Sequence, residues 1–456
     1  MGIQQEKGKI NSGRSIGFVP LSHKQVFMRY TALSSTHYSN NRKRFASRME
    51  EKALAIFTSN DIYPTSADGT LPFKQHSDIF YLTGVDQEET MLILFPGATN
   101  PAHREMLFVR ETNDHIAVWE GAKLNKAQAK DRTGVNTIYW SSEFEKILHT
   151  VIGEASSIYL NSNEHSRATI EVETREMRLS KWFREKYPHH SIKRSAPIMH
   201  ALRAVKDEEE IAQIQKAVDI TRNGLLRVMK MIRPGVMEYV IEAEFAHEFL
   251  SSGSRGFAYT PIIASGESAC VLHYIDNDKP CKEGDVILLD VGAEYGNYAA
   301  DMTRCLPVSG KFTARQKDVY NAVLSVMKQA TAYLKPGVIM SEYHAAVGEM
   351  MTAELLKLNL ISEEDVKNQN PSWPAYKKYF MHGTSHFLGL DVHDVGNWNK
   401  PIEVGNVFTV EPGIYIPEED LGIRLENNIV ITENGNRDLF ANFPLEVEEI
   451  EALCAK

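Results

Sequence analysis

Residues 233–245, RPGVMEYVIEAEF, end one run of helical spacing at Pro234-Gly235 and begin another. The run before them opens with Asp207 and Glu210 in a capping-box pattern. Ile211, Ile214, Val218, Leu225 and Val228 then recur at helical intervals as far as Ile232. Residues 335–347, KPGVIMSEYHAAV, repeat the device between helical runs at 320–334 and 341–358. Both units lead into strand-like sequence. Two such copies predict a domain of two halves related by a pseudo-twofold, with a site in the cleft where the halves meet. Pro-Gly after a helix is common, so two similar helix ends alone also fit chance, and the strands that follow carry the decision.

Those strands hold carboxylates among apolar residues. Asp290 lies in VILLDVG, where an ionised carboxylate needs a partner or a metal, because leaving it dry is costly or shifts its pKa. Beyond a turn region with Gly292 and Gly296, Asp301 stands in YAADMTR, and a hairpin can return it beside Asp290. In the second half Glu411 ends the apolar run VFTV, and period-2 alternation across 422–428 puts Arg424 and Glu426 on one face. Any one of these carboxylates fits an ordinary salt bridge.

Residues 380–394, FMHGTSHFLGLDVHD, gather His382, His386 and His393 with Asp391 and Asp394. The cluster reads as the floor of a site; the alternative is a buried strand-turn-strand whose histidines are satisfied core residues. Asp290, Asp301, His386, Glu411 and Glu426 together form a hard, oxygen-rich set. It has too many ligands for a closed structural zinc site and too few sulfurs for a soft metal. Such a set could hold two divalent ions that share and deprotonate one water, which is hydrolytic chemistry. His273 in CVLHY, His382 and His393 are then available to position substrate, stabilise an intermediate and move protons, with Arg424 orienting a ligand carboxylate.

The rest of the chain bounds this reading. At 456 residues it is too long for one ordinary core, and 43% hydrophobic with 24% charged residues is an ordinary soluble composition. A net charge of -10 and a pI near 5.9 argue against nucleic acid as a main partner. Four cysteines without CxxC spacing point to a reducing compartment, so a cytoplasmic protein is expected. No long apolar window predicts a membrane span. Residues 1–27 are basic and lack an apolar signal core, which argues against a secretory signal; they are expected to be a leader outside the fold, with a weak organelle-targeting segment as the alternative.

Short apolar runs at 53–57, 79–82, 91–95 and 106–109 read as strands, and helical spacing follows near 143–152 and 170–184, so residues 28–202 predict a mixed or parallel α/β domain. Nothing there gathers catalytic chemistry; His76, Asp78 and His115 stand isolated. The boundary falls in APIMHALRAVK, with residues 203–456 forming the second domain.

These motifs resemble the pita-bread metallopeptidases of the aminopeptidase P type. LLDVGAEYGNYAADMTR is similar to the family segment supplying two aspartate ligands, here Asp290 and Asp301, and MHGTSHFLGLDVHD to the one supplying a histidine ligand, here His386. TVEPGIYI and GIRLENNIVIT resemble the segments donating Glu411 and Glu426, while SGESACVLHY carries His273. All five ligand positions hold the expected residue type, which argues against a metal-free relative such as a creatinase. FKQHSDIFYLTGVDQEE and VWEGAKL resemble the family's N-terminal domain, and Phe80 stands where some members carry a tryptophan that reaches the site.

The resemblance implies an α/β (α+β) architecture with a pita-bread catalytic domain, and removal of the first residue from peptides with proline second. A hydroxide bridging two metals, most readily Mn²⁺, would attack the Xaa-Pro carbonyl, with Glu411 as ligand and proton acceptor, His382 on the substrate side and His393 near the oxyanion. A homodimer or homotetramer is a family expectation. The alternatives are a prolidase restricted to Xaa-Pro dipeptides and, from another class, an inactive binding protein on the same fold. A methionine aminopeptidase would need no domain before residue 200.

Overall fold

The computed structural model describes residues 28–454, so the expectation for residues 1–27 lies outside the described residues. The N-terminal half is a six-stranded mixed sheet in the spatial order Thr137–Trp140, Glu105–Val109, Met91–Leu94, Ala53–Thr58, Ser157–Leu160, Ser191–Arg194. The central strand Ala53–Thr58 is buried throughout. Its alternate residues serve two cores: Ala53, Ala55 and Phe57 pack toward the catalytic half, Leu54 and Ile56 toward the outer helices.

One expected strand is a helix. Residues 79–82 belong to the helix Ser77–Thr83, where the His76 side chain accepts a hydrogen bond from the Asp78 N–H and Gly84, at φ 65°, closes the C-terminus. A four-residue apolar run carries no period of its own, and the caps on either side decide its form. Phe80 is buried in this helix against Tyr38, with an edge-to-face contact at 6.3 Å, and belongs to the domain core.

The two helix-PG-helix units fold alike. Helices Glu208–Met229 and Glu238–Ser251 form the first pair, Ala314–Tyr333 and Met340–Lys357 the second. Gly235 and Gly337 take φ of 85° and 90°, which glycine alone adopts at no steric cost. Gly235 N–H donates to Cys281 O at 2.8 Å and Cys281 N–H to Val236 O at 2.9 Å. In the second copy Gly337 N–H donates to Ile402 O at 2.9 Å and Ile402 N–H to Val338 O at 2.8 Å. The repeated sequence thus makes a repeated clasp between each helix turn and the segment before its strands.

Those strands are Val286–Asp290, flanked by Ile262–Ser265 and Thr303–Pro307 in the first half, and Val407–Val410 beside Asn427–Thr432 in the second. The alternation expected across 422–428 is interrupted: Leu421–Arg424 pairs with Gly413–Ile416, and a new strand starts at Asn427. Residues 380–394 form no regular element beyond one bridge between Phe387 and Phe408. Among the described residues no helix is long and apolar enough to cross a membrane.

The return from Asp290 to Asp301 is tightly packed, because a Cβ at Gly292 would lie 1.8 Å from the Ala300 carbonyl oxygen. Gly292→Ala is expected to cost about 1–3 kcal/mol of stability through overpacking against backbone. Urea unfolding should show a lower midpoint at unchanged slope.

Candidate metal centre

Each half delivers one carboxylate at the end of an apolar strand and a second close to its neighbour. Asp290 closes the strand Val286–Asp290, opposite Thr303 and Ile262. Asp301 is fixed through its backbone: its N–H donates to Asn428 Oδ1 at 3.1 Å and its carbonyl accepts from Asn428 Nδ2 at 2.6 Å. Glu411 follows Val407–Val410 directly, its N–H bonded to Thr384 O at 2.8 Å. Glu426 sits in the break before Asn427, its N–H donating to Thr303 O at 3.1 Å and its Oε2 accepting from Thr303 Oγ1 at 2.7 Å.

His386 completes the group. Its Nδ1 donates to the Phe387 carbonyl at 2.9 Å, which turns Nε2 toward the carboxylates. Burial works against the charged ring, but the Asp301 hydrogen bond and the Glu411 and Asp301 charges raise its pKa overall, so Nε2 becomes a free ligand atom once a cation displaces its proton. Nε2 stands 3.4 Å from Asp301 Oδ2 and 3.7 Å from Glu411 Oε1. Donor atoms of Asp301, His386 and Glu426 all fall within 4.8 Å of one another, a spacing that suits a shared cation.

All nine residues singled out from the sequence, His273, Asp290, Asp301, His382, His386, His393, Glu411, Arg424 and Glu426, line a single cavity of about 560 Å³. Asp391 and Asp394, from the same histidine-rich stretch, turn the other way and pair with Arg203 and, for Asp394, with Lys206.

The electrostatics are unbalanced. Burial, then the nearby Asp301 and Asp290, push Glu411 up to about 7 against the opposing pull of His386 and Arg424. Burial and the other carboxylates hold Glu426 well above the usual range, and burial with Asp290 raises Asp301. Burial and Arg424 push His382 down to about 3; burial, His386 and Arg167 do the same to His393. His382 and His393 are therefore neutral.

Several site residues carried no sequence signal. The Tyr259 hydroxyl lies 2.6 Å from Asp290 Oδ1 and 2.5 Å from Asp301 Oδ1, and burial beside them keeps it protonated. Arg424 donates to Asp290 Oδ2 at 2.6 Å and to the Tyr415 hydroxyl at 2.7 Å; Tyr415 in turn lies 2.7 Å from His382 Nε2. The N-terminal half, which shows no catalytic grouping in sequence, contributes Arg167, whose guanidinium reaches the His393 ring at 2.8 and 3.0 Å. Arg167 lies on an irregular segment, where no periodicity marks a functional face.

Residues 212–433 match metallopeptidase family M24, and residues 38–159 match the aminopeptidase P N-terminal domain. Among characterised proteins the chain is 35% identical to Xaa-Pro aminopeptidase of Escherichia coli over 92% of its own length and 98% of that protein's. It is 33% identical to Xaa-Pro aminopeptidase of Haemophilus influenzae, over 92% and 97%. A zinc-substituted E. coli aminopeptidase P in complex with product superposes with a TM-score of 0.84 at 33% identity, covering 93% of this chain and 99% of that one. With both domain matches in order and relatives aligned along nearly their full length, the chain belongs to metallopeptidase family M24, in the aminopeptidase P group that carries its own N-terminal domain.

Proposed function

We propose that this protein is a metal-dependent Xaa-Pro aminopeptidase, releasing the first residue from peptides whose second residue is proline. The observation that carries the reading is the cavity in which four carboxylates, the His386 imidazole turned toward them and two neutral histidines converge. An Xaa-Pro bond is a tertiary amide without an N–H, so a site that grips the carbonyl side suits it.

The residues fit a pair of divalent cations. Glu426 Oε1 is buried with no hydrogen-bond partner, and one Tyr259 proton serves two aspartates. Of the two guanidiniums lining the cavity, only Arg424 pairs with one of the four carboxylates, Asp290, while Arg167 is held by His393, so among the described residues negative charge is left over. Asp290, Asp301, His386, Glu411 and Glu426 would hold the ions, and manganese is our assignment from the hard ligand set, with cobalt or zinc able to substitute in vitro. When bound, such ions lower the pKa of a shared water and offset oxyanion charge.

The chain's own groups do the remaining work. Glu411 takes the proton of the attacking water and passes it to the departing proline nitrogen. His393, neutral and packed against His386 at 4.3 Å between ring centroids, faces the developing oxyanion. Arg424 holds the Asp290 carboxylate and, through Tyr415, keeps His382 aimed into the cavity. His273 guides the substrate chain, while Ile262, Leu272 and Ile275 provide an apolar wall.

We place the domain boundary between residues 202 and 203. The protein is expected in the cytoplasm as a homodimer or homotetramer; the exposed pair Val118 and Trp119 on the N-terminal half supports association.

Wild-type protein stripped and reloaded with Mn²⁺ should release alanine from Ala-Pro-Ala and longer Xaa-Pro peptides. Cleavage confined to Ala-Pro would make it a prolidase, and none under any metal would leave a binding protein. Asp301→Asn should lower metal content and activity together. His393→Ala should keep its metal yet lose turnover by about 10²–10³-fold, in line with loss of one oxyanion contact. Metal removal also has a pH signature. Raised Glu411 and Glu426 bind protons that the unfolded chain has released, so the metal-free protein should lose stability as pH rises from about 5 to about 8. Thermal midpoints of the manganese form should be flat over that range.

A further inference from the structure

A second cavity, of about 520 Å³, lies between the two domains. It shares Arg167, Val392 and His393 with the cavity of the metal centre, so the two spaces meet at that neck. Its N-terminal wall includes Thr174 and Glu176, and its catalytic wall Asp391. Glu176 is 5% exposed; its Oε2 is buried without a hydrogen-bond partner, as is Thr174 Oγ1. The guanidinium of Arg167 is held by the His393 ring and, among the described residues, by no carboxylate.

We propose that Arg167, at the neck between the two cavities, is the residue that makes cleavage depend on the length of the peptide downstream of proline, which runs into the interdomain cavity. The inference rests on the aminopeptidase reading above. The free α-amine of a substrate must point to the carboxylate-rich end, so the chain beyond the scissile bond leaves past His393 and meets Arg167. An extended peptide offers alternating carbonyls and N–H groups. Arg167 exchanges its hydrogen bond to His393 for one to the first main-chain carbonyl beyond proline, and Glu176 Oε2 accepts an N–H further along. An Xaa-Pro dipeptide ends at the neck and gains none of these contacts. An always-charged guanidinium on an exposed segment can make this exchange without burying an unpaired charge in the free enzyme.

The test compares kcat/KM for Ala-Pro, Ala-Pro-Ala, Ala-Pro-Ala-Ala and a pentapeptide in manganese-loaded wild type, Arg167→Ala and Arg167→Lys. Inhibition by the product peptide Pro-Ala-Ala is measured alongside. Wild type should gain with length up to the tetrapeptide. Arg167→Ala should shrink the tetrapeptide-to-dipeptide ratio by about tenfold, the scale of one charge-assisted hydrogen bond, mainly through KM, and weaken Pro-Ala-Ala by a similar factor. Arg167→Lys should recover part of both. A length ratio and a product affinity unchanged in Arg167→Ala would overturn the proposal while leaving the aminopeptidase reading intact. Failure of wild type to cleave any of the peptides would overturn both.

Discussion

Four carboxylates brought within reach of one another in one cavity repel, and the catalytic half is arranged around holding them there. Asp290 ends the central strand of the first half's sheet and Glu411 directly follows Val407–Val410, the outer strand paired with Asn427–Thr432, so each is aimed by a buried, hydrogen-bonded ladder. Asp301 and Glu426 are placed by backbone bonds to Asn428 and Thr303, side chain and main chain from the neighbouring segment. Such fixing is needed because the groups themselves prefer to move apart. The charge that remains after Arg424 and Tyr259 have been counted is the reason a cation belongs in the cavity.

A second group of buried charges ties this centre to the N-terminal half. Arg203 reaches Asp78 at 2.8 Å and Asp391 at 2.7 Å and also pairs with Asp394, while Lys206 lies 2.9 Å from Asp394. Arg203 and Lys206 are almost wholly buried, so their desolvation is offset only while all these partners stay in place. Asp391 and Asp394 flank His393. The same ion network that docks the domains therefore sets the loop presenting that histidine. Ser77 adds a bond from its Oγ to Asp391 Oδ1 at 2.9 Å, so the segment around 76–78, whose His76 and Asp78 stand isolated in sequence, acts through the interface.

Much of the fold is legible in the chain because it rests on local patterns. The two Pro-Gly stops with helical spacing on either side announce the two halves, and the clasp hydrogen bonds at Gly235 and Gly337 follow from them. Residues 79–82 are misleading because four apolar residues fit either element until the His76 cap and Gly84 are considered. Carboxylates inside apolar strands mark the site, since nothing local can satisfy them. Tyr259, Tyr415 and Arg167 carry no such mark: a tyrosine hydroxyl or a guanidinium needs no special partner that the sequence would show, and only its neighbours reveal its use.

By itself, then, the sequence determined the two halves, the apolar strands that lead to Asp290 and Glu411 and the residue types gathered for a hard metal, because periodicity, caps and buried charge are consequences of the order of residues along the chain. The tertiary structure alone decided which groups face one another. It divided residues 380–394 into histidines turned to the cavity and aspartates turned to Arg203, and it brought Arg167 across more than two hundred positions to the His393 ring. Contacts of that kind join segments far apart along the chain, and no local periodicity encodes them.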